Sequence, residues 1–406
     1  MAASVKSAGL SYPTSQCRPA PNNSLVNPSN QSPIIMPKPK LRDRIARFLD
    51  IPVHMPGLIQ RGNDLCTRID GNFLHIRSER TKLVLSPEAL GTAFLLPTVA
   101  MGRRLVGDSC DPVWLENTQR ILDQVNEWWD YGANQPDFAP GKPGRPNQGV
   151  GLAFSLGVDS FYSCFFADPA PDLLILASGF DIPLERKDIL ASMCNSLATV
   201  AEATGKDWTM IETDLRRHRL FRRLSWEFSH GGAVAFLGYL LQERIGSLLI
   251  SSSYDQDHLG PWGSHPDLDP YWSSSRLSVK SIGHEVSRSE KIKRLVNHAI
   301  ARPLLKRHLR VCWEHPTSLG NCGYCHKCVL LRMTLNWHAP DFKLDTLPEG
   351  IPLVQAIEAL SPLDQDLSLN FRRELVGHLD PPVDRALRKL IQRSEESIQS
   401  RSGGSR

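Results

Sequence analysis

Gly151-Leu152-Ala153-Phe154-Ser155-Leu156-Gly157-Val158-Asp159-Ser160 is the stretch that decides the fold of this chain. It follows a polar, Pro/Gly-rich run over 139–149 and opens as a short apolar strand. A Ser-x-Gly-x-Asp-Ser turn comes next, and Val158 to Phe166 can then start a helix. A strand that feeds a small-residue turn into a helix N-terminus aims several backbone N–H groups and the positive end of the helix dipole at one point, which suits a phosphate group. The plainer reading is a tight strand-to-helix turn with a serine N-cap.

From 150 onward the pattern alternates strand and helix. Strands fit best at 151–155, 173–178, 208–213 and 247–252, and helices near 158–166, 185–204, 230–244 and 287–300. This predicts an α/β fold, an open parallel sheet with helices on both faces. Ligands of such sheets bind beyond the strand C-termini. The least ordinary residues fall there: Ser155–Ser160, Gly179-Phe180-Asp181, Asp214 and the run 251–275.

The turn resembles the PP-loop of ATP pyrophosphatases, usually Ser-Gly-Gly-x-Asp-Ser, whose members transfer AMP to an oxygen and release pyrophosphate. It is not a Walker A loop, because no Gly-Lys-Ser/Thr follows at the required distance. The resemblance implies an adenine nucleotide alpha hydrolase-like fold that uses ATP and Mg²⁺. It implies a nucleotide site made by Ser155, Leu156, Gly157, Val158, Asp159 and Ser160, with Gly179 and Phe180 beyond the second strand. The Ser155 and Ser160 hydroxyls would meet the pyrophosphate, Gly157 would let the backbone approach, and Asp159 would hold Mg²⁺ or orient the loop. Leu156 stands where the commonest pattern has Gly; the phosphosulfate reductase branch also carries a bulky residue there.

Nine cysteines are present. Cys17 lies near the N-terminus, and Cys66, Cys110, Cys164 and Cys194 are scattered singly, as buried small hydrophobes are. Cys312, Cys322, Cys325 and Cys328 form a C-x9-C-x2-C-x2-C cluster, in which Gly323 permits a tight knuckle. Four thiolates complete a tetrahedral Zn²⁺ shell with no open position, so the expected metal is structural. An iron–sulfur cluster is the alternative occupant. With no signal-like apolar segment near the start, the cluster argues for a reducing, cytoplasmic setting.

A PP-loop followed by this knuckle resembles 7-cyano-7-deazaguanine synthase and its QueC-like relatives over residues 150–335. In that family a basic residue in a Ser/Thr-Lys-x-Glu-Ile stretch contacts the nucleotide phosphates. Ser287-Arg288-Ser289-Glu290-Lys291-Ile292 occupies that place, so the likeness implies Arg288 as a catalytic residue with Asp159 and Ser160, and Lys291 as the fallback. The family's Gly-Tyr-Pro-Asp-Cys-Arg substrate stretch is absent; in its place stands 260–273, with Trp262, His265, Asp267, Asp269 and Trp272. These residues either read a planar heterocycle or order a Pro-rich loop. The chain looks like longer bacterial relatives whose acceptor is unassigned.

Composition sets the frame. Hydrophobic residues make up 41% of the 406 and charged residues 22%, which fits a globular protein, and no run of about 18 apolar residues exists to span a membrane. The net charge of +4 does not by itself imply nucleic acid. Arg216, Arg217, Arg219, Arg222 and Arg223 form the one dense basic cluster, read as a solvated helix face ahead of an RNA contact. The expected organisation is a disordered arm over 1–40, an accessory α+β region over 41–145, the PP-loop domain with its knuckle over 150–335, and a helical extension over 345–406 ending in a flexible tail. Within the accessory region, strands are expected at 64–69 and 73–77 around Asp70-Gly71, and helices after Ser86-Pro87 and Asp111-Pro112.

The function expected is an ATP-dependent ligase that adenylates a carboxylate or related carbonyl oxygen and couples it to nitrogen. The second substrate is a carboxylate or heterocycle; a protein or peptide partner and a homodimer are further options, and membrane and nucleic acid are not expected. The rivals are a tRNA sulfur-transfer enzyme and a non-catalytic nucleotide-binding protein.

Overall fold

The structure is a computed structural model and describes residues 51–402 except Leu58, 132–133 and 364–365. The arm expected over 1–40 lies outside the described residues. Strands follow in chain order as β1 (Val53–His54), β2 (Gln60–Gly62), β3 (Asp64–Ile69), β4 (Asn72–Arg77), β5 (Leu83–Leu85), β6 (Leu105–Cys110) and β7 (Asp137–Pro140). Next come β8 (Gly149–Ala153), β9 (Leu173–Ser178), β10 (Asp207–Thr213), β11 (Ile245–Ser251) and β12 (Ser278–Ile282).

The main sheet runs β12-β11-β8-β9-β10-β4-β3. β8 to β12 are mutually parallel neighbours, and β4 joins β10 antiparallel. Numbered in chain order and read across the sheet from β10 to β12, the parallel strands lie third, second, first, fourth, fifth. The order reverses between β8 and β11, and that crevice is where an α/β sheet offers a binding site.

Alternating side chains of the buried strands feed two cores. Leu174 and Leu176 of β9 join Leu152 and Phe154 under the helices Val158–Phe166, Lys187–Thr204 and Arg288–Asn297. Leu173 and Ile175 point the other way, to the helices Trp226–Leu240 and Pro87–Val99. A third cluster binds the helix His326–His338 to the C-terminal helices Leu353–Glu358, Asp366–Arg373 and Pro381–Ser402.

The expected elements are found with three differences. β12 was not expected: Ser-Val-Lys-Ser-Ile is short and half polar, as an edge strand can be. The helix placed at 230–244 spans Trp226–Leu240, because Gly231-Gly232 lies inside it and does not mark a break. A Cβ on Gly231 would lie 1.9 Å from the Gly263 carbonyl, so the glycine is there for packing. Finally, the β3–β4 hairpin, expected in a separate accessory unit, is part of the main sheet. The two caps hold as read: the Ser86 side chain accepts from Ala89 N, and that of Asp111 from Val113 N and Trp114 N.

Candidate functional site

The turn after β8 lies at the reversal crevice. The helix Val158–Phe166 has Gly157 as N-cap with no side-chain cap bond, so the serine-capped reading does not describe it. Its first N–H groups are left for another acceptor. The Ser160 hydroxyl donates to Gly157 O at 3.0 Å and lies 3.4 Å from that of Ser155, which is exposed. Leu156 sits at φ +64°, the left-handed region that disfavours a side chain, yet its own side chain is fully buried. That conformation explains why glycine is the commoner residue at this place. Burial of the leucine offsets the strain.

Ser160 is buried, 3% exposed, and the Asp159 side chain is 13% exposed. Arg288 Nη1 donates to Asp159 Oδ2 at 2.5 Å, and Lys291 Nζ to Oδ1 at 3.2 Å and to Ser252 O at 2.7 Å. Burial pushes the Asp159 carboxyl up, but the two cations outweigh it and hold the group below the usual carboxylate range. Both basic candidates therefore converge on the turn. Each carboxylate oxygen thus accepts a hydrogen bond from one of the two cations.

Gly179 and Phe180 follow β9. Gly179 has φ +95°, and a Cβ there would lie 2.0 Å from Thr213 O. Phe180 is buried against Trp226, and its carbonyl accepts from Arg216 Nη1 at 2.6 Å. Val158 packs into the core beneath the loop.

Cys312, Cys322, Cys325 and Cys328 come together. Their four sulfurs lie within 4.8 Å of one another, and the Cys312–Cys325 and Cys322–Cys328 pairs are 3.8 Å apart. Zn–S bonds of about 2.3 Å in a tetrahedron put sulfurs about 3.8 Å apart, so the four residues can hold a metal such as zinc. Among the other cysteines, Cys110, Cys164 and Cys194 are free, whereas Cys66 is disulfide-bonded.

The 260–273 loop divides. His265, Asp269 and Trp272 are buried, Asp269 accepting from Ser264 Oγ at 2.8 Å and from His265 N at 3.3 Å, and Asp267 is exposed. Trp262 is half-buried between His230 and Tyr254, at ring-centroid distances of 5.8 and 5.9 Å. The basic cluster is not a helix face but two short 3-10 turns, Leu215–Arg217 and Phe221–Arg223. Arg217 pairs with Glu185 and Arg219 with Asp70, while Arg216 lies over the Trp226 ring. Arg217 and Arg222 are nevertheless exposed.

Two site residues escaped the sequence. Lys327, an exposed residue between the knuckle cysteines, lies within electrostatic range of Asp181, Arg288 and Asp159, its ammonium 5.6 Å from the centre of the Trp313 ring. Arg372 is 3% exposed and comes within electrostatic range of Arg288 and Tyr254. The available signals were positional. Lys327 is fixed by the cysteine spacing around it, and Arg372 stands three residues from both Leu369 and Leu375, on the apolar face of its helix.

No helix of the described residues is long and apolar enough to cross a membrane. No family model, curated protein or solved structure matches the chain.

Proposed function

We propose that this chain is an ATP-dependent adenylating enzyme, a PP-loop carbon–nitrogen ligase resembling the 7-cyano-7-deazaguanine synthases, with a structural zinc. The observation that carries the reading is the grip of Arg288 and Lys291 on Asp159, beneath an uncapped helix N-terminus at the sheet's reversal crevice. A turn with free N–H groups and two converging cations favours a phosphate chain.

In this reading the substrate carboxylate oxygen attacks the α-phosphorus of ATP, and the bond to the β-phosphate oxygen breaks. Pyrophosphate leaves with the charge that Arg288 and the loop N–H groups stabilise. An amine or ammonia then attacks the acyl carbon, loses a proton and expels AMP. The chain's task is positioning and charge stabilisation, and no protein nucleophile is needed. Mg²⁺ would arrive with the nucleotide, since Asp159 is already paired.

Product analysis tests this. The expected turnover yields AMP and pyrophosphate and depends on an added carboxylate; 7-carboxy-7-deazaguanine is the acceptor that the resemblance implies. ADP and phosphate would overturn the adenylation reading whatever the acceptor.

A further inference from the structure

Lys291 reaches Asp159 from between two elements. It belongs to the start of the helix Arg288–Asn297, and its ammonium also donates to Ser252 O at 2.7 Å, in the segment after β11. The C-terminal extension, outside the segment that carries the resemblance, holds both elements. Glu374 accepts the Ser287 hydroxyl at 2.8 Å, one residue before Arg288, and the Phe371 ring stacks on Tyr254 at 5.3 Å and 18°. Ser252 Oγ donates to Tyr254 O at 2.8 Å, which ties the stacked residue to the carbonyl that Lys291 uses. Leu369 and Leu375, which bracket Phe371 and Glu374 in the chain, are fully buried in the third cluster, so both contacts come from a firmly packed segment.

Ser287 is the N-cap of the helix Arg288–Asn297, its side chain accepting from Glu290 N at 3.3 Å. A capping serine uses its oxygen for that bond and leaves its proton to water or to a neighbour. Here Glu374 takes the proton, which fixes the hydroxyl and, with it, the direction of the first turn. Arg288 and Lys291 lie within four residues of the cap, at 2.5 and 3.2 Å from Asp159, so a tilt of that turn moves both cations against the nucleotide turn. Ser289 Oγ lies 2.8 Å from His338 Nε2 and gives the same turn a second anchor, so loss of Glu374 would loosen it without releasing it.

We propose that Glu374 is a positioning residue of the nucleotide site: through Ser287 it sets the helix turn that brings Arg288 and Lys291 to Asp159. The C-terminal extension then shapes phosphate binding without touching the nucleotide. The proposal rests on the adenylating reading for what the two cations serve, whereas the order of the turn can be measured with no ligand.

The test is calorimetric titration of the full zinc-loaded chain with Mg²⁺ and α,β-methylene-ATP, which cannot be cleaved at the α–β bond, beside hydrogen exchange of the ligand-free chain. Glu374→Ala should weaken nucleotide binding by about tenfold. Ser287→Gly should do the same, since it removes the hydroxyl but leaves a residue that caps almost as well. The double variant should bind no worse than either single one, because both remove one bond. Glu374→Gln, whose amide oxygen still accepts from Ser287, should keep most of the affinity. Arg373→Ala, which breaks the pair with Glu395, should leave it unchanged. In the exchange experiment Glu374→Ala should speed the Glu290 and Lys291 amides, which bond the Ser287 side chain and carbonyl, and leave the strand Leu173–Ser178 as it was. The proposal falls if Glu374→Ala binds as the wild type does, if the losses add in the double variant, or if Glu374→Gln or Arg373→Ala is as weak as Glu374→Ala. Should the wild type not bind the nucleotide, the adenylating reading falls, and exchange at Glu290 and Lys291 judges the positioning alone. If Glu374→Ala does not fold, Ser287→Gly set against Glu374→Gln decides.

Discussion

The backbone N–H of Arg310 donates to the Leu156 carbonyl at 2.9 Å, tying the segment that leads into Cys312 to the middle of the turn after β8. Asn321 reinforces this join, its Oδ1 accepting from Val311 N at 2.8 Å and Cys312 N at 3.2 Å. The four-cysteine group is thus tied to the turn through the segment that leads into it. A metal held there would help set the loop's shape without touching a substrate.

The purified chain should accordingly carry about one zinc, and Cys312→Ser should lose metal, fold and nucleotide binding together. Metal analysis beside thermal denaturation checks this. A metal-free wild type with an unchanged transition would refute it.

Replacing Asp159 with Ala should destabilise the fold by roughly 3–5 kcal/mol, because it strands Arg288 and the fully buried Lys291 without their carboxylate. Ser160→Ala should cost about 1 kcal/mol, the worth of its bond to Gly157 O. Denaturant titration of the two variants compares them directly. Equal costs would mean that Asp159 does not neutralise those cations.

At Leu156 the usual order of substitutions should invert. Leu156→Ala loses the buried side chain and keeps the strained φ of +64°, whereas Leu156→Gly loses the same contacts but relieves the strain. The glycine variant should be more stable than the alanine variant by about 1 kcal/mol. Chemical denaturation decides it, and alanine ahead of glycine would show that the turn relaxes.

Asp269 gives a pH signature. Burial raises its carboxyl to about 7, although hydrogen bonds from Ser264 and His265 N work against the rise. Between the ordinary carboxylate range and pH 7 the folded chain holds a proton that the unfolded chain has released. The Asp269 contribution is therefore present at low pH and lost as pH rises through that window. His218, His230 and His326, each lowered to about 4 chiefly by burial, slope the other way below about pH 6.5. The clean readout is the difference between Asp269→Asn and the wild type. The variant should gain relative stability from pH 4 to 7 and then level off; a flat difference would remove Asp269 as the cause.

What was legible in the sequence was whatever local chemistry fixes. The helix Val158–Phe166, the strand Leu173–Ser178 and the cysteine knuckle follow from periodicity, turn residues and ligand spacing, which act over a few residues. What stayed hidden depends on distant chain. Nothing near Asp159 announces that Lys291 buries itself against it, and nothing near Arg372 announces that its helix docks beside His326. β12 was missed because pairing with β11, not its own composition, makes Ser-Val-Lys-Ser-Ile a strand.

The β3–β4 hairpin has a consequence for anyone who would trim the chain. Arg77 and Ile76 of β4 pair with Glu212 and Thr213 of β10, and His75 N donates to Asp214 Oδ1 at 2.8 Å. A version beginning at residue 145 would leave the outer rim of β10 unpaired there, with backbone donors and acceptors open to a second molecule. The resemblance begins only at residue 150, but the smallest well-behaved piece reaches back at least to β3.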